Sequence, residues 1–191
     1  MTLDNTAVMR PGTGHFLLRN ANTASPSFAD LEAFVSDTTD LPTGCTDLGH
    51  TSLNDVLAFE QDGGESTVIG SWQTKSLKEI VTSEAVDYFT TTALQIDNAT
   101  LALYYGAGDA SVANEWSAPE TSSTTEKGVT IVMFDGSDWA AIDCARTSIR
   151  REAGIAPDPE YFFGFPLRFT LLSPSGGFKR LKWIADQLGA A

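Results

Sequence analysis

Two cysteines and two histidines in 191 residues leave little material for redox or metal chemistry. Cys45 and Cys144 are too few for a disulfide scaffold, and such sparse use suits a reducing compartment. Cys144 stands in mid-strand between Asp143 and Ala145, with no helix N-terminus to activate it, and reads as a buried inert thiol. A metal site needs three or four converging ligands; neither His15 nor His50 has them at ligand spacing, and Asp47 near His50 is the closest approach. Long apolar runs are missing too. No stretch reaches the ~18 residues of a membrane span, and MTLDNTAVMRPGTG has no apolar core segment, so the expectation is a soluble protein made in a cytoplasm. Basic residues are scarce: 12 Lys and Arg against 25 Asp and Glu give a net charge of −13, which argues against a grip on nucleic acid. No GxSxG, HExxH, P-loop or GxGxxG stands in a usable context, and Gly106-Ala107-Gly108 follows a helix instead of opening one. Carboxylates are plentiful, but nothing selects a glycosidase pair among them. The sequence therefore offers no catalytic, cofactor-binding or metal-binding residue.

What is present belongs to a folded domain. Hydrophobic residues make up 42% and aromatics 10%, and a chain of this length buries roughly 70% of its unfolded surface without staples. The segment 77–106 organises the rest. Over 85–96 the residues alternate, Val86, Tyr88, Thr90, Thr92, Leu94 and Ile96 opposite Asp87, Phe89, Thr91, Ala93 and Gln95, which predicts a long strand. Asn98 then caps a short helix carrying Leu101, Tyr104 and Tyr105, ended by Gly106. Upstream, residues 1–13 read as a flexible arm and 14–19 as a strand. Ser27, with Asp30 three residues on, caps a brief helix with Phe28, Leu31 and Val35 as its buried edge; the alternative is a loop anchored by two phenylalanines. A second strand is expected from Cys45 to Thr51.

The last third is β. Gly128 to Phe134 is apolar on both faces, implying burial on two sides or a partner chain on one. Asp135-Gly136-Ser137-Asp138 turns the chain into a return strand, Trp139 to Arg151. In Tyr161 to Leu171, the residues Tyr161, Phe163, Phe165, Leu167, Phe169 and Leu171 share one face, and Pro166 restricts the strand to an edge or a bulge. Phe178 to Ile184 closes the domain, with Leu181 and Trp183 inward and Lys179, Arg180 and Lys182 outside. Trp72, Trp116 and Trp139 could build a sugar-binding platform, though core or interface duty is the simpler account. Two polar stretches are too long for ordinary connections: 107–126, and 53–76, LNDVLAFEQDGGESTVIGSWQTKS. The latter carries Leu57, Phe59, Val68, Ile69 and Trp72, too few to pack a core alone and too many for a merely solvated loop, which suggests an arm that orders on a neighbour; the alternative is an ordinary hairpin extending the sheet.

The order of DLGHTS at 47–52, an acidic glycine-bearing segment, GSWQTKSLKEIVTSEAVDYFTTTALQIDNATLALYYG at 70–106 and IRREAGI at 149–155 resembles the major tail proteins of phages with long, non-contractile tails. The resemblance spans roughly 14–185. It implies a mainly β (α+β) fold, an antiparallel β-sandwich or half-barrel flanked by one short α-helix. Six subunits would form a ring, and rings would stack into a hollow tail tube assembled in the host bacterial cytoplasm. Residues 14–185 would be a single tail-tube domain, 53–76 an inter-ring arm, 107–126 a polar loop and 186–191 a tail, with no appended immunoglobulin-like domain. The partners implied are further copies of the chain, the tape measure and other tail proteins, and DNA that passes the lumen without specific binding; no cofactor is implied. Leu57, Phe59, Val68, Ile69, Trp72 and the basic Arg146, Arg150 and Arg151 are then the expected subunit interface, these arginines and the cluster Lys179, Arg180 and Lys182 facing acidic segments of neighbours; the alternative for both clusters is solvated sheet edges. Two readings from other classes are a carbohydrate-binding β-sandwich module and a small acidic hydrolase.

Overall fold

The computed structural model describes residues 8–188. The chain runs β1 (Thr13–Asn20), α1 (Phe28–Ser36), β2 (Thr46–Asp47), β3 (Ala58–Asp62), β4 (Ser66–Ile69), β5 (Lys78–Val81), β6 (Val86–Ala93), α2 (Asn98–Tyr105), β7 (Thr125–Asp135), β8 (Asp138–Arg151), β9 (Phe165–Leu171) and β10 (Lys182–Ala185). The main sheet is antiparallel, in the order β2-β1-β7-β8-β9-β6-β3. β8 is long enough to serve twice: its first half pairs with β10 and its second half with β9.

The sheet curls. Phe16 of β1 lies 6.3 Å from Phe89 of β6 and 6.5 Å from Phe169 of β9 between ring centroids, although three strands separate β1 from β6 in the hydrogen-bonded order. Those rings, with Ile131, Ile142, Ile149 and Leu167, form the main core on the concave face, and Leu103 and Tyr104 of α2 join it. The Tyr104 hydroxyl donates to the Ala153 carbonyl at 2.6 Å, fixing the helix against the chain beyond β8. Residues 46–52 reach across the gap between the sheet's ends. Thr46 and Asp47 pair with β1, while Leu94 N–H donates to His50 O and Ser52 N–H to Thr92 O at the end of β6. The result is an open half-barrel rather than a closed one.

A second, smaller core lies on the other face of β1, β7 and β8, where Leu31 and Phe34 of α1 meet Leu17, Val132, Trp139, Ala141 and Ile184. This settles the two-faced apolarity of β7: the subunit itself covers both sides, Val129 and Ile131 against one core and Val132 against the other. α1 forms with the expected capping box, Ser27 Oγ accepting from Asp30 N–H and Asp30 accepting from Ser27 N–H. Its buried residues are Leu31 and Phe34, whereas Phe28 lies against Trp139 and stays partly exposed. The domain thus has both helices that the local sequence signals predict, where the family resemblance alone implies one.

Several expectations need correction. The strand around 85–96 runs Val86–Ala93, and the face carrying Phe89, Thr91 and Ala93 is the buried one; Val86 and Ile96 are exposed. Asp97, not Asn98, caps α2, accepting from Thr100 N–H at 2.7 Å. The second strand has only Thr46–Asp47. β9 starts at Phe165, because a turn at Asp158–Tyr161 interrupts the aromatic alternation. Pro166 occupies an interior strand, tolerated at its second residue, where its carbonyl accepts from Glu152 N–H as β8 ends. In β10 it is Ile184 that points inward, and Trp183 is exposed. The polar loop ends at Thr125, where β7 begins. Of the expected N-terminal arm, 1–7 lie outside the described residues, as do 189–191 of the expected tail.

Candidate functional site

The segment expected to be an arm is a projecting β-hairpin. Its stem is β3 on β6, from Ala58↔Thr90 to Asp62↔Val86. Beyond Gly63-Gly64, with φ of 80° and 75°, the chain continues as β4 paired with β5 in a separate two-stranded ribbon. A side chain on Gly63 would meet the Glu84 carbonyl at 2.6 Å, so both the positive φ and the close approach require glycine there. Ser71 and Thr74 exchange backbone hydrogen bonds across the end of the ribbon, which puts Trp72 and Gln73 at its tip. Trp72 is 99% exposed. The pairing register places Val68 and Val81 on one face and Ile69 and Ile80 on the other, all of them exposed.

The stem is held by polar contacts on the outer face of the sheet. The Arg168 guanidinium lies 3.4 Å from the Tyr88 ring centroid and pairs with Asp62 at 2.6 Å. The Tyr88 hydroxyl donates to Glu60, a bond that raises the tyrosine's pKa, and Arg180 pairs with Asp87. Phe59 rests against Phe89 at 5.3 Å and Leu57 packs partly on the main core. The five apolar residues expected at an interface therefore divide: Leu57 and Phe59 anchor the stem, and Val68, Ile69 and Trp72 are carried outward.

The three arginines also divide. Arg146 is engaged within the subunit, bidentate on Glu126 at 2.9 and 2.8 Å and bonded to Ser173 O; this pairing holds the Glu126 carboxyl below its ordinary pKa. Arg150 and Arg151 are exposed at the end of β8, and among the described residues neither has an ion-pair partner.

A half-open cleft of about 840 Å³ lies where the start of β1, the end of β7 and the 49–57 segment meet. Phe16, Ile131 and Met133 contribute to its lining from the sheet, and Leu53, Val56 and Leu57 from the opposite side. At its wall Asp47, close to His50 in sequence, pairs instead with the other histidine: Asp47 Oδ2 meets His15 Nδ1 at 2.6 Å, and the His15 ring stacks on Phe134. Among the described residues no group of three or more His, Cys, Asp or Glu is placed to hold a metal ion. The tryptophans considered for sugar binding do not converge: Trp139 is buried beside Phe28, Trp116 packs on Tyr105, and Trp72 is at the hairpin tip.

Sequence reasoning missed a buried polar cluster. Arg19 reaches through the second core to Asp143, Nη1 to Oδ1 at 2.9 Å, and to Thr130 Oγ1 at 2.9 Å; Thr130 in turn donates to Asp143 at 2.7 Å. The guanidinium lies over Gly128, where a Cβ would come 2.9 Å from Arg19 Cζ, and the β7–β8 register slips at that residue. A lone arginine closing an apolar strand, GHFLLR, was the available signal. Burial pushes the neighbouring Cys144 thiol up to about 12, so it stays protonated and unreactive.

The molecule is an open β half-barrel with a charged cluster locked in its core and its surplus apolar side chains on a projecting ribbon. A family model described as phage tail tube protein matches residues 1–191, and the chain belongs to that family. It is 32% identical over 191 residues to the major tail protein Gp23 of Mycobacterium phage L5, covering 98% of this chain and 96% of that one. The corresponding protein of Mycobacterium phage D29 matches to the same extent. The chain is accordingly a structural component of a phage tail. Among the described residues no helix is long and apolar enough to cross a membrane.

Proposed function

We propose that the chain assembles with itself into hexameric rings that stack as the tail tube, an acidic conduit through which DNA passes into the host. The observation that carries this reading is the β4–β5 ribbon, whose Val68, Ile69, Trp72, Ile80 and Val81 are exposed with nothing in the subunit covering them. An isolated two-stranded ribbon is marginally stable in water. Laid on another subunit, it would bury apolar surface at ~25 cal/mol per Å² against an ordering cost of ~1–2 kcal/mol per residue. Contact with several copies at once tips that balance, which favours assembly over a lone docked arm. The net charge of −13 supports the conduit: carboxylates repel phosphates, where a basic lumen would hold them. Salt softens this repulsion over ~8 Å at physiological ionic strength.

On this reading the protein is not an enzyme. Its partners are its own copies, the tape measure and other tail proteins. It is built in the host cytoplasm, does not insert in membranes, and lets DNA pass without binding a particular sequence. Electron microscopy across a concentration series tests it. Rings or tubes of constant diameter are expected as concentration rises. A chain that stays small at every concentration, as a sugar-binding module or a hydrolase would, overturns the reading.

A further inference from the structure

We propose that the cleft between β1, β7 and the 49–57 segment is the socket for the hairpin tip of a second copy, with Trp72 as the inserted side chain. This rests on the stacking reading above and names the contact that would make it. The hairpin and the cleft lie at opposite ends of the β3–β6 pair. The hairpin leaves at Val86, whereas Thr51 pairs with Ala93 at the other end, next to the cleft-lining Gln95. At ~3.4 Å per residue, about 24 Å of β6 separates them. No residue of the ribbon is among those lining the cleft, so a chain does not fill its own socket. A plug at one end and a socket at the other make a heterologous contact, which builds a stack when successive copies are offset along one axis instead of closing into a ring.

The chemistry of the two surfaces matches. The tip presents an indole that is 99% exposed, flanked by Lys75 and Lys78, with no carboxylate between Glu65 and Glu79. The cleft is lined by the apolar Phe16, Ile131, Met133, Leu53, Val56 and Leu57 and by polar His15, His50, Ser52 and Gln95, with Asp47, held by His15, at its wall and no lysine or arginine among its lining residues. Its volume of about 840 Å³ exceeds what one indole fills and leaves room for the residues beside it. Tryptophan is, with tyrosine and arginine, enriched among the desolvated side chains that anchor interfaces.

The test uses the full chain carrying Trp72→Cys and Leu53→Cys, Leu53 being an exposed residue of the cleft rim. Cys45 and Cys144 are buried, with thiols that burial holds protonated, so they do not compete for a short bis-maleimide. In assembled tubes the double variant is expected to give a ladder of covalent dimers, trimers and higher multimers, and each single variant none. Separately, Trp72→Ala is expected to raise the concentration needed for tubes by about tenfold or more, the loss typical of such an anchor. Wild-type emission should shift to the blue on assembly by an amount absent from a Trp72→Phe variant. Tubes of the double variant that give no ladder, or Trp72→Cys chains that link tip to tip, overturn the socket while leaving stacking intact. A wild-type chain that never assembles removes the stacking reading, and the socket with it.

Discussion

Arg19 shows most plainly how a single residue is committed in this fold. The residue is only 5% exposed, and its guanidinium sits within 3 Å of both Asp143 and Thr130, partners more than 100 positions away in sequence. Such a separation is invisible to local pattern, so the residue reads simply as the polar end of a strand. Removing one member of a buried ion pair leaves the other charged and unpaired, at a cost of ~3–5 kcal/mol, whereas replacing both by apolar groups is often neutral. Arg19→Met is therefore expected to lower unfolding stability by about 3–5 kcal/mol in urea titrations. The double variant Arg19→Met, Asp143→Leu should recover most of that loss. A single variant as stable as the wild type would show that the cluster contributes nothing. Gly128 belongs to the same arrangement: its missing side chain is what lets the guanidinium lie over β7.

At the scale of elements, legibility followed local chemistry. Ser27 with Asp30, the Gly136-Ser137 turn and the two-faced run of β7 all declared themselves, because cap, turn and burial are set by neighbours in sequence. What alternation cannot give is direction. In β6 both faces carry aromatic and β-branched residues, and which one turns inward depends on the curl that brings Phe89 against Phe16 and Phe169. A slip of one residue likewise exchanged Trp183 for Ile184 in β10. The candidate site was legible as composition, through Val68, Ile69 and Trp72 in a glycine-bearing acidic stretch, but the cleft was not, since it is assembled from four separate stretches of chain. The hairpin also divides at Gly63-Gly64 into a stem tied down by Arg168, Asp62 and Tyr88 and a ribbon with no such ties. Hydrogen exchange should resolve that division. In the free subunit, amides of β3 should be protected and those of 66–81 should exchange fast; in tubes, 66–81 should become protected as well. Equal protection of the ribbon in both states would mean that it is ordered without any neighbour.

Charge is distributed unevenly over the whole molecule. Residues 1–95 hold 13 acidic and 4 basic side chains, and 96–191 hold 12 and 8. Much of that basic excess is spoken for within the subunit, Arg146 by Glu126, Arg168 by Asp62 and Arg180 by Asp87. Arg150 and Arg151 are different: exposed, and with no ion-pair partner among the described residues. In the β8-β9-β6 part of the sheet they stand at one end, since Arg151 pairs with Leu167 and Leu167 with Thr91, while the hairpin leaves from the other. The ribbon and its hinge carry Glu65, Glu79 and Glu84. A hairpin reaching onto a second copy would bring those carboxylates toward the arginine end of that copy before its tip arrives anywhere. Charges at such a rim act mainly on encounter and register, and they weaken with salt. Arg150→Glu with Arg151→Glu should thus leave the monomer's circular dichroism and thermal transition unchanged while raising the concentration needed for tubes by about tenfold at low salt. Adding Glu65→Lys and Glu79→Lys should restore part of the loss, because the pairing is then reversed in sign. Tubes forming from the arginine double variant at the wild-type concentration would assign both arginines to solvated sheet ends and leave stacking to the apolar ribbon alone.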